Sequence, residues 1–336
     1  MRRRCPGVEN FELNIGRACN SRCIFCVSRK ATPAERAWVP LDRARTELEQ
    51  ARRQGCTALG FLGGEPTAHP RLLDLVRAGR QLGFTRIALG TNGLRLADPD
   101  FLLALLDAGV TRVGVSIHAD IASIEDRITR VKGGFARKCQ ALKNLVAVRD
   151  RGRLMDGLAV NPVLHRRLLD RLPRMLAFLK RLGIGDARFN SYRPVTLGRE
   201  DRALCPRFSD VTPRLQELIA ENESCFGFHL TLGDFPFCAF PVPVLEDHVL
   251  LARYVGERFD LATQVSIVSE KRSAHGAGLA RFSWRDAKRD RLKAKPCACQ
   301  ACAWEPACEG IWLTYLELWG ESEAHPLAAR PPAWSL

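Results

Sequence analysis

No apolar run in this 336-residue chain is long enough to span a bilayer. The basic start, Met1-Arg2-Arg3-Arg4, is not followed by the apolar core of a secretory signal. Internal repeats and low-complexity tracts are also missing. These absences argue against a helical membrane protein, an exported protein and a repeat array, and set the expectation of a cytoplasmic chain. Against that background the sequence has thirteen cysteines. Without an export signal, so many thiols point to metal ligation in a reducing compartment rather than to disulfides. After Cys308 there is no further cysteine.

The length fits one barrel-sized domain with a small appendage. Apolar residues at 46% and charged residues at 26% are those of a globular protein. Lys plus Arg exceeds Asp plus Glu by 51 − 37 = 14. The excess is spread along the chain, which describes a solvated basic surface, and nucleic acid is not an expected partner. The densest basic run, Arg281 to Lys295, interleaves Asp286 and Asp290 and reads as an exposed segment.

Strand and helix patterns alternate from Phe11 to about Asn190. Strands are predicted at Phe11 to Ile15, Ala58 to Leu62, Arg86 to Gly90, Val113 to Ile117, Gly157 to Asn161 and Ala187 to Asn190. Between them run helical stripes such as Leu41, Ala44, Leu48 and Ala51, or Leu172, Met175, Leu176 and Leu179, with Gly55, Gly83 and Gly183 as stops. A shorter helix is predicted between Val195 and Asn222, begun by Thr212 with Pro213 at its first position. Six strands separated by helices predict a parallel sheet with right-handed crossovers. In such folds function collects at the C-terminal strand ends.

The unusual residues fall at those ends. Cys19, Cys23 and Cys26, spaced C-x3-C-x2-C, follow the first strand. Gly63-Gly64-Glu65-Pro66 follows the second and Thr91-Asn92-Gly93 the third; Ser116 and His118 close the fourth, Asn161 the fifth, and Asn190 with Arg193 the sixth. Thiolates are soft ligands that suit iron–sulfur clusters, zinc or copper(I). A closed structural site wants four protein ligands, whereas three leave one metal corner open for chemistry. A zinc site completed by a distant residue is the plainer alternative.

The cysteine spacing, with Phe25 before the last cysteine and Gly63-Gly64-Glu65-Pro66 downstream, resembles the radical S-adenosylmethionine (radical SAM) superfamily. The resemblance implies an open, partial (β/α)6 TIM-like barrel. It also implies that Cys19, Cys23 and Cys26 hold a [4Fe-4S] cluster whose fourth iron chelates the methionine part of SAM. Gly63, Gly64, Glu65 and Pro66 would lie at the SAM amino group, and Ser116 and Asn161 at its ribose or carboxylate. His118 and Arg193 are substrate-side candidates, though each also has a plain structural reading. One electron, from a flavodoxin- or ferredoxin-type reductant, would cleave SAM to methionine and a 5′-deoxyadenosyl radical, which takes a hydrogen atom from substrate.

A second set, Cys297, Cys299, Cys302 and Cys308, lies near the C-terminus. It resembles the SPASM or shorter twitch appendages of that superfamily, without their last C-x3-C. One auxiliary [4Fe-4S] cluster is therefore expected, on Cys299, Cys302, Cys308 and a fourth ligand. Cys238 is favoured for that place, Cys297 is the local competitor, and structural zinc is the alternative metal. The expected layout is a barrel over residues 1–200, a linker with a helix over 201–235, and a small cysteine-rich C-terminal domain over 236–336. The substrate is expected to be a peptide in ribosomal peptide maturation, with small-molecule or cofactor biosynthesis as the alternative. A non-catalytic electron carrier or interaction module is the alternative from another class. Cys5, Cys56, Cys139, Cys205 and Cys225 have no partner at ligand spacing and are given no function.

Overall fold

The structure, a computed structural model, describes residues 10–256, 263–273 and 276–329. Cys5 lies outside them. The described residues form two units. The first takes the chain through Ile117, then Ile121–Val160, then the segment ending at Arg285. The second takes His118–Asp120, the chain from Asn161 to Gly256, and the chain from Asp286 onward.

The first unit is a sheet with helical crossovers. Strands β1 (Asn10–Asn14), β2 (Ala58–Leu62), β3 (Arg86–Thr91), β4 (Arg112–Val115) and β5 (Leu158–Val160) pair in that order, all parallel. Alternation makes β1: Phe11 and Leu13 are fully buried while their neighbours are half-exposed. The helices Leu41–Arg53 and Leu72–Gln81 bury the predicted stripes, Ala44, Leu48 and Ala51 on one, Leu72, Leu75 and Val76 on the other. The helix Pro99–Ala108 starts where the Asp98 carboxylate accepts from the backbone of Asp100 and Phe101, with Pro99 in its first turn.

In the second unit β6 (Val163–Leu164), β7 (Asp186–Ser191) and β8 (His229–Gly233) form parallel pairs about β7. The helix Leu172–Arg181 precedes β7, as its stripe predicts. Near the C-terminus, β11 (Lys293–Ala294) and β12 (Ile311–Trp312) pair antiparallel on either side of the cysteine-rich loop.

Several expectations are corrected. The helix placed at Thr212 begins four residues earlier, running Phe208–Glu221 with Pro213 inside it. Phe208 and Val211 lie on the same buried stripe as Leu215, so burial carries the helix across the proline. Phe208 also stacks on Tyr315 at 4.2 Å. The basic run from Arg281 is not an exposed segment throughout. Arg281 lies on β10 (Gly276–Ser283) and pairs with Glu47 at 2.9 Å, while Lys288 and Lys293 are 1% and 4% exposed. Both lysines reach Glu309, at 2.8 and 3.0 Å, so the carboxylate offsets part of their desolvation. The hairpin of β9 (Thr263–Ser273) and β10 (Gly276–Ser283) was not foreseen; β9 joins the sheet parallel to β1. Among the described residues no helix is long and apolar enough to cross a membrane.

His165 is a buried histidine held neutral. Its Nε2 donates to the His118 carbonyl at 2.9 Å, and its Nδ1 has no hydrogen-bond partner among the described residues. Burial is the main cause that pushes its pKa down to about 4. A depressed histidine contributes stability that is complete above the unfolded value near 6.5 and is lost as pH falls from there toward 4. We predict an acid-side loss of up to about 3 kcal/mol from this group. Denaturant unfolding at pH 7 and pH 4.5 should show that loss shrinking in His165→Gln.

Candidate functional site

The cysteine loop is fixed at its root by backbone contacts between neighbouring strand ends. Past β1, Ile15 N–H donates to the Leu62 carbonyl at 2.9 Å. Past β2, Gly64 N–H donates to Gly16 O at 2.8 Å and Glu65 N–H to Ala18 O at 2.9 Å. The two chains approach so closely that a Cβ on Gly63 would stand 2.3 Å from Gly16 O, and one on Gly64 2.1 Å from Ala18 O. Gly63 also has φ +151°, which side chains rarely adopt. The paired glycines were expected to admit a ligand; here the close approach is to the stem of the cysteine loop.

Glu65 is 1% exposed and accepts four donors. Its Oε1 takes Thr67 N–H at 3.0 Å and the hydroxyls of Thr67 and Thr91 at 2.6 Å each; its Oε2 takes Asn92 N–H at 2.6 Å. Three of these donors crowd Oε1, while Oε2 holds one and keeps a further acceptor site. Glu65 therefore ties the segment after β2 to the turn after β3. That turn reaches the cysteines: Asn92 Nδ2 donates to Asn20 Oδ1 at 2.7 Å and Ser21 Oγ at 3.2 Å. From sequence, Asn92 reads only as part of a turn or a pocket wall.

The far side of the loop is held by the helix Ala122–Thr129. Arg22 N–H donates to Thr129 O at 3.1 Å and Ile24 N–H to Ile128 O at 2.9 Å, so both residues flanking Cys23 are tethered. Cys19 is exposed, Cys23, Phe25 and Cys26 half-buried. Burial pushes the Cys23 thiol up to about 12, against the opposing pull of Lys138. A thiolate there needs a bound cation to form readily, as a metal centre supplies. Three thiols tethered on one loop suit such a centre. Lys138 and its partner Glu125 are further residues that periodicity missed: both are buried, with Nζ to Oε1 at 2.6 Å. Lys138 also donates to the Ser116 carbonyl at 2.7 Å.

In the second unit, His118 is 4% exposed and its Nδ1 accepts from Val163 N–H at 3.2 Å. Asn161, just past β5, is half-buried. Arg193 follows β7 and stacks over Trp312 at 4.6 Å. Burial lowers its pKa from the usual guanidinium value, with Asp234 opposing. The loop that carries Arg193 is cinched by Asp201, whose Oδ2 accepts from the backbone of Val195, Thr196 and Leu197 and whose Oδ1 accepts from Tyr192.

Cys238, Cys299, Cys302 and Cys308 line one cavity, walled by Phe237 and Trp304. Cys297 is exposed and is not part of the lining. Backbone N–H groups of Gly310 and Leu327 point at Cys308 Sγ and Cys302 Sγ, at 3.3 and 3.4 Å. Burial pushes the Cys238 thiol up to about 12. Among the described residues no group of three or more His, Cys, Asp or Glu converges tightly enough for a single metal ion. The second cysteine set surrounds a space. Of the cysteines given no function, Cys56 and Cys205 are buried, Cys139 half-buried and Cys225 exposed.

The family model for the radical SAM superfamily matches residues 13–185, from β1 to the turn before β7. The chain belongs to the radical SAM superfamily. This superfamily uses a [4Fe-4S] cluster with SAM, and the fold is its partial, TIM-like barrel. Among curated relatives, a probable GTP 3′,8-cyclase of Saccharolobus solfataricus is 27% identical over 192 residues, 57% of this chain and 59% of that protein. An AdoMet-dependent heme synthase of Methanosarcina barkeri is 27% identical over 199 residues, 59% of this chain and 53% of the relative. The chain thus spans less than two thirds of the length of the curated relatives it matches. Among solved structures, Streptococcus suis SuiB bound to precursor peptide SuiA has a TM-score of 0.66 at 17% identity, covering 95% of this chain and 75% of SuiB. The enzyme anSMEcpe with bound AdoMet and the Kp18Cys peptide has a TM-score of 0.53 at 14% identity, covering 63% of this chain and 59% of that one.

The glycine contacts give a direct test. Gly64→Ala forces a methyl group onto the Ala18 carbonyl, and overpacking of this kind costs about 1–3 kcal/mol. We predict a lower melting temperature and less iron bound after reconstitution, although no cysteine is altered. Unchanged iron would show that the loop does not depend on this approach.

Proposed function

We propose that Cys19, Cys23 and Cys26 carry the SAM-binding [4Fe-4S] cluster, and that the enzyme abstracts a hydrogen atom from a peptide substrate in ribosomal peptide maturation. The observation that carries the first part is the docking of Gly63-Gly64-Glu65 onto the stem of a three-cysteine loop inside the residues matched to the superfamily. When bound, cluster and SAM supply a one-electron reductive cleavage that yields methionine and a 5′-deoxyadenosyl radical. The chain's own residues position and exclude. The loop bonds to Thr129, Ile128 and Asn92 fix the thiols. Gly63 to Pro66, with Ser116 and Asn161, are the proposed SAM contacts. The Glu65 carboxylate also braces this segment, through its four donors.

The peptide assignment is supported by fold likeness to SuiB over 95% of this chain, the cysteine-rich C-terminal region included, and by the peptides named with SuiB and anSMEcpe. A second assignment, to a small-molecule substrate, is favoured by the curated relatives, named as a GTP cyclase and a heme synthase. Arg193, braced on Trp312, is the candidate for an anionic substrate group under either. We assign Cys238, Cys299, Cys302 and Cys308 to an auxiliary [4Fe-4S] cluster, in a C-terminal cysteine-rich region expected from 236 onward. Their common cavity supports that set over one containing Cys297.

Two outcomes are expected from the anaerobically reconstituted protein. With SAM and dithionite it should form 5′-deoxyadenosine, and Cys23→Ala should reduce this at least about 1000-fold, as removal of an essential catalytic group does. Adding a peptide encoded beside its gene should raise the yield and change the peptide's mass; stimulation by GTP instead would favour the small-molecule assignment. Iron should approach about eight per chain, four per cubane. Cys238→Ala should lose about half of it, while Cys297→Ala keeps all. The reverse pattern would move the fourth ligand to Cys297.

A further inference from the structure

Behind the cysteine loop lies an ion pair that the reaction as outlined does not use. Lys138 and Glu125 are 1% and 0% exposed, and their Nζ–Oε1 distance is 2.6 Å. Glu125 sits on the helix Ala122–Thr129, whose last two carbonyls hold the backbone on both sides of Cys23. Lys138 sits in the second turn of the helix Gly134–Asp150 and donates as well to the Ser116 carbonyl at the end of β4.

Holding these helices together does not require a charge pair. Asp126 already clamps the two, accepting from Gly133 N–H and Phe135 N–H at 2.7 Å each. Two buried charges lose hydration worth several kcal/mol each, and apolar residues of similar volume often pack as well or better. The pair is also directional. Lys138 pulls the Cys23 thiol down more than Glu125 pushes it up, so the net influence of the pair at the cysteine is that of a positive charge. In so dry a place charges act over longer distances than in water. Net charge and nearby donors are what the protein uses to set cluster potentials.

We propose that the Lys138–Glu125 pair, buried where the helix Ala122–Thr129 holds the backbone on both sides of Cys23, tunes the cluster on Cys19, Cys23 and Cys26 by stabilising the reduced state. The proposal rests on the assignment of that cluster to these cysteines. Reduction adds one negative charge to a centre already surrounded by three thiolates. A fixed positive charge behind Cys23 offsets that addition and makes the one-electron reduction easier. Lys138 is a positioning residue in this scheme, acting through the cysteine and touching neither SAM nor substrate.

The test is a redox titration of the reconstituted full chain, following the electron paramagnetic resonance signal that changes when SAM is added. Lys138→Met should lower the ratio of reduced to oxidised cluster at a fixed potential by at least about tenfold, which is 59 mV for one electron. Glu125→Gln should shift it the opposite way, and Lys138→Arg should stay close to the wild type. If Lys138→Met fails to fold, the sign of the Glu125→Gln shift decides. Unshifted potentials with lower melting temperatures would overturn the proposal and leave the pair as packing. Shifts of the same sign in both variants would overturn it too. Failure of the wild type to assemble any SAM-responsive cluster is a separate result, which would remove the functional assignment itself.

Discussion

Two backbone hydrogen bonds carry the architecture of the proposed active site. Gly64 and Glu65 donate to Gly16 and Ala18, and this brings the end of β2 against the root of the cysteine loop at a distance no side chain would permit. Without that approach the root of the loop would hang from β1, and only the contacts to Thr129, Ile128 and Asn92 farther along would hold it. The Glu65 carboxylate extends the brace to Thr91 and Asn92, and Asn92 returns to the loop through Asn20 and Ser21. A closed circuit of short bonds thus runs through three successive strand ends. Preorganisation of this kind is what a radical enzyme asks of its protein, because the hard chemistry belongs to the cofactor.

Buried charge recurs near both sets of cysteines, and each instance has its own compensation. Lys138 and Glu125 pair behind the first set. In the C-terminal region Lys288 and Lys293 share Glu309, the residue after Cys308, and both also lie within 4 Å of Asp234, four residues before Cys238. Lys293 covers the Trp312 ring at 4.8 Å, the same ring on which Arg193 stacks. Ion pairs beside metal-ligand candidates do two things at once. They fix the loops, since removing one partner strands the other at a cost of about 3–5 kcal/mol, and they set the local potential.

Much of this was legible in the residues. The period-two runs at Phe11 and Arg86 and the 3.6-period stripes at Leu41 and Leu172 became strands and helices within a residue or two, because each buries one clean apolar face. The cysteine spacing and the double glycine follow β1 and β2, as expected. What stayed hidden depended on partners distant in sequence. Lys288 looks like a surface residue until Glu309 is brought to it, and Arg281 until Glu47 is. Thr212 with Pro213 after it reads as a helix start, and only the burial of Phe208 reveals the earlier one. The β9–β10 hairpin joins a strand more than two hundred and fifty residues earlier, a pairing that local patterns do not encode.

The central claim is that three thiols leave one iron free for SAM. Electron–nuclear double resonance on the reduced protein, with the SAM amino group labelled with 15N, tests it most directly. The account predicts a nitrogen coupling strong enough to place that amino group on the cluster, lost when Cys19, Cys23 or Cys26 is replaced. A reduced cluster with no such coupling, or a first site filled by zinc, would contradict it.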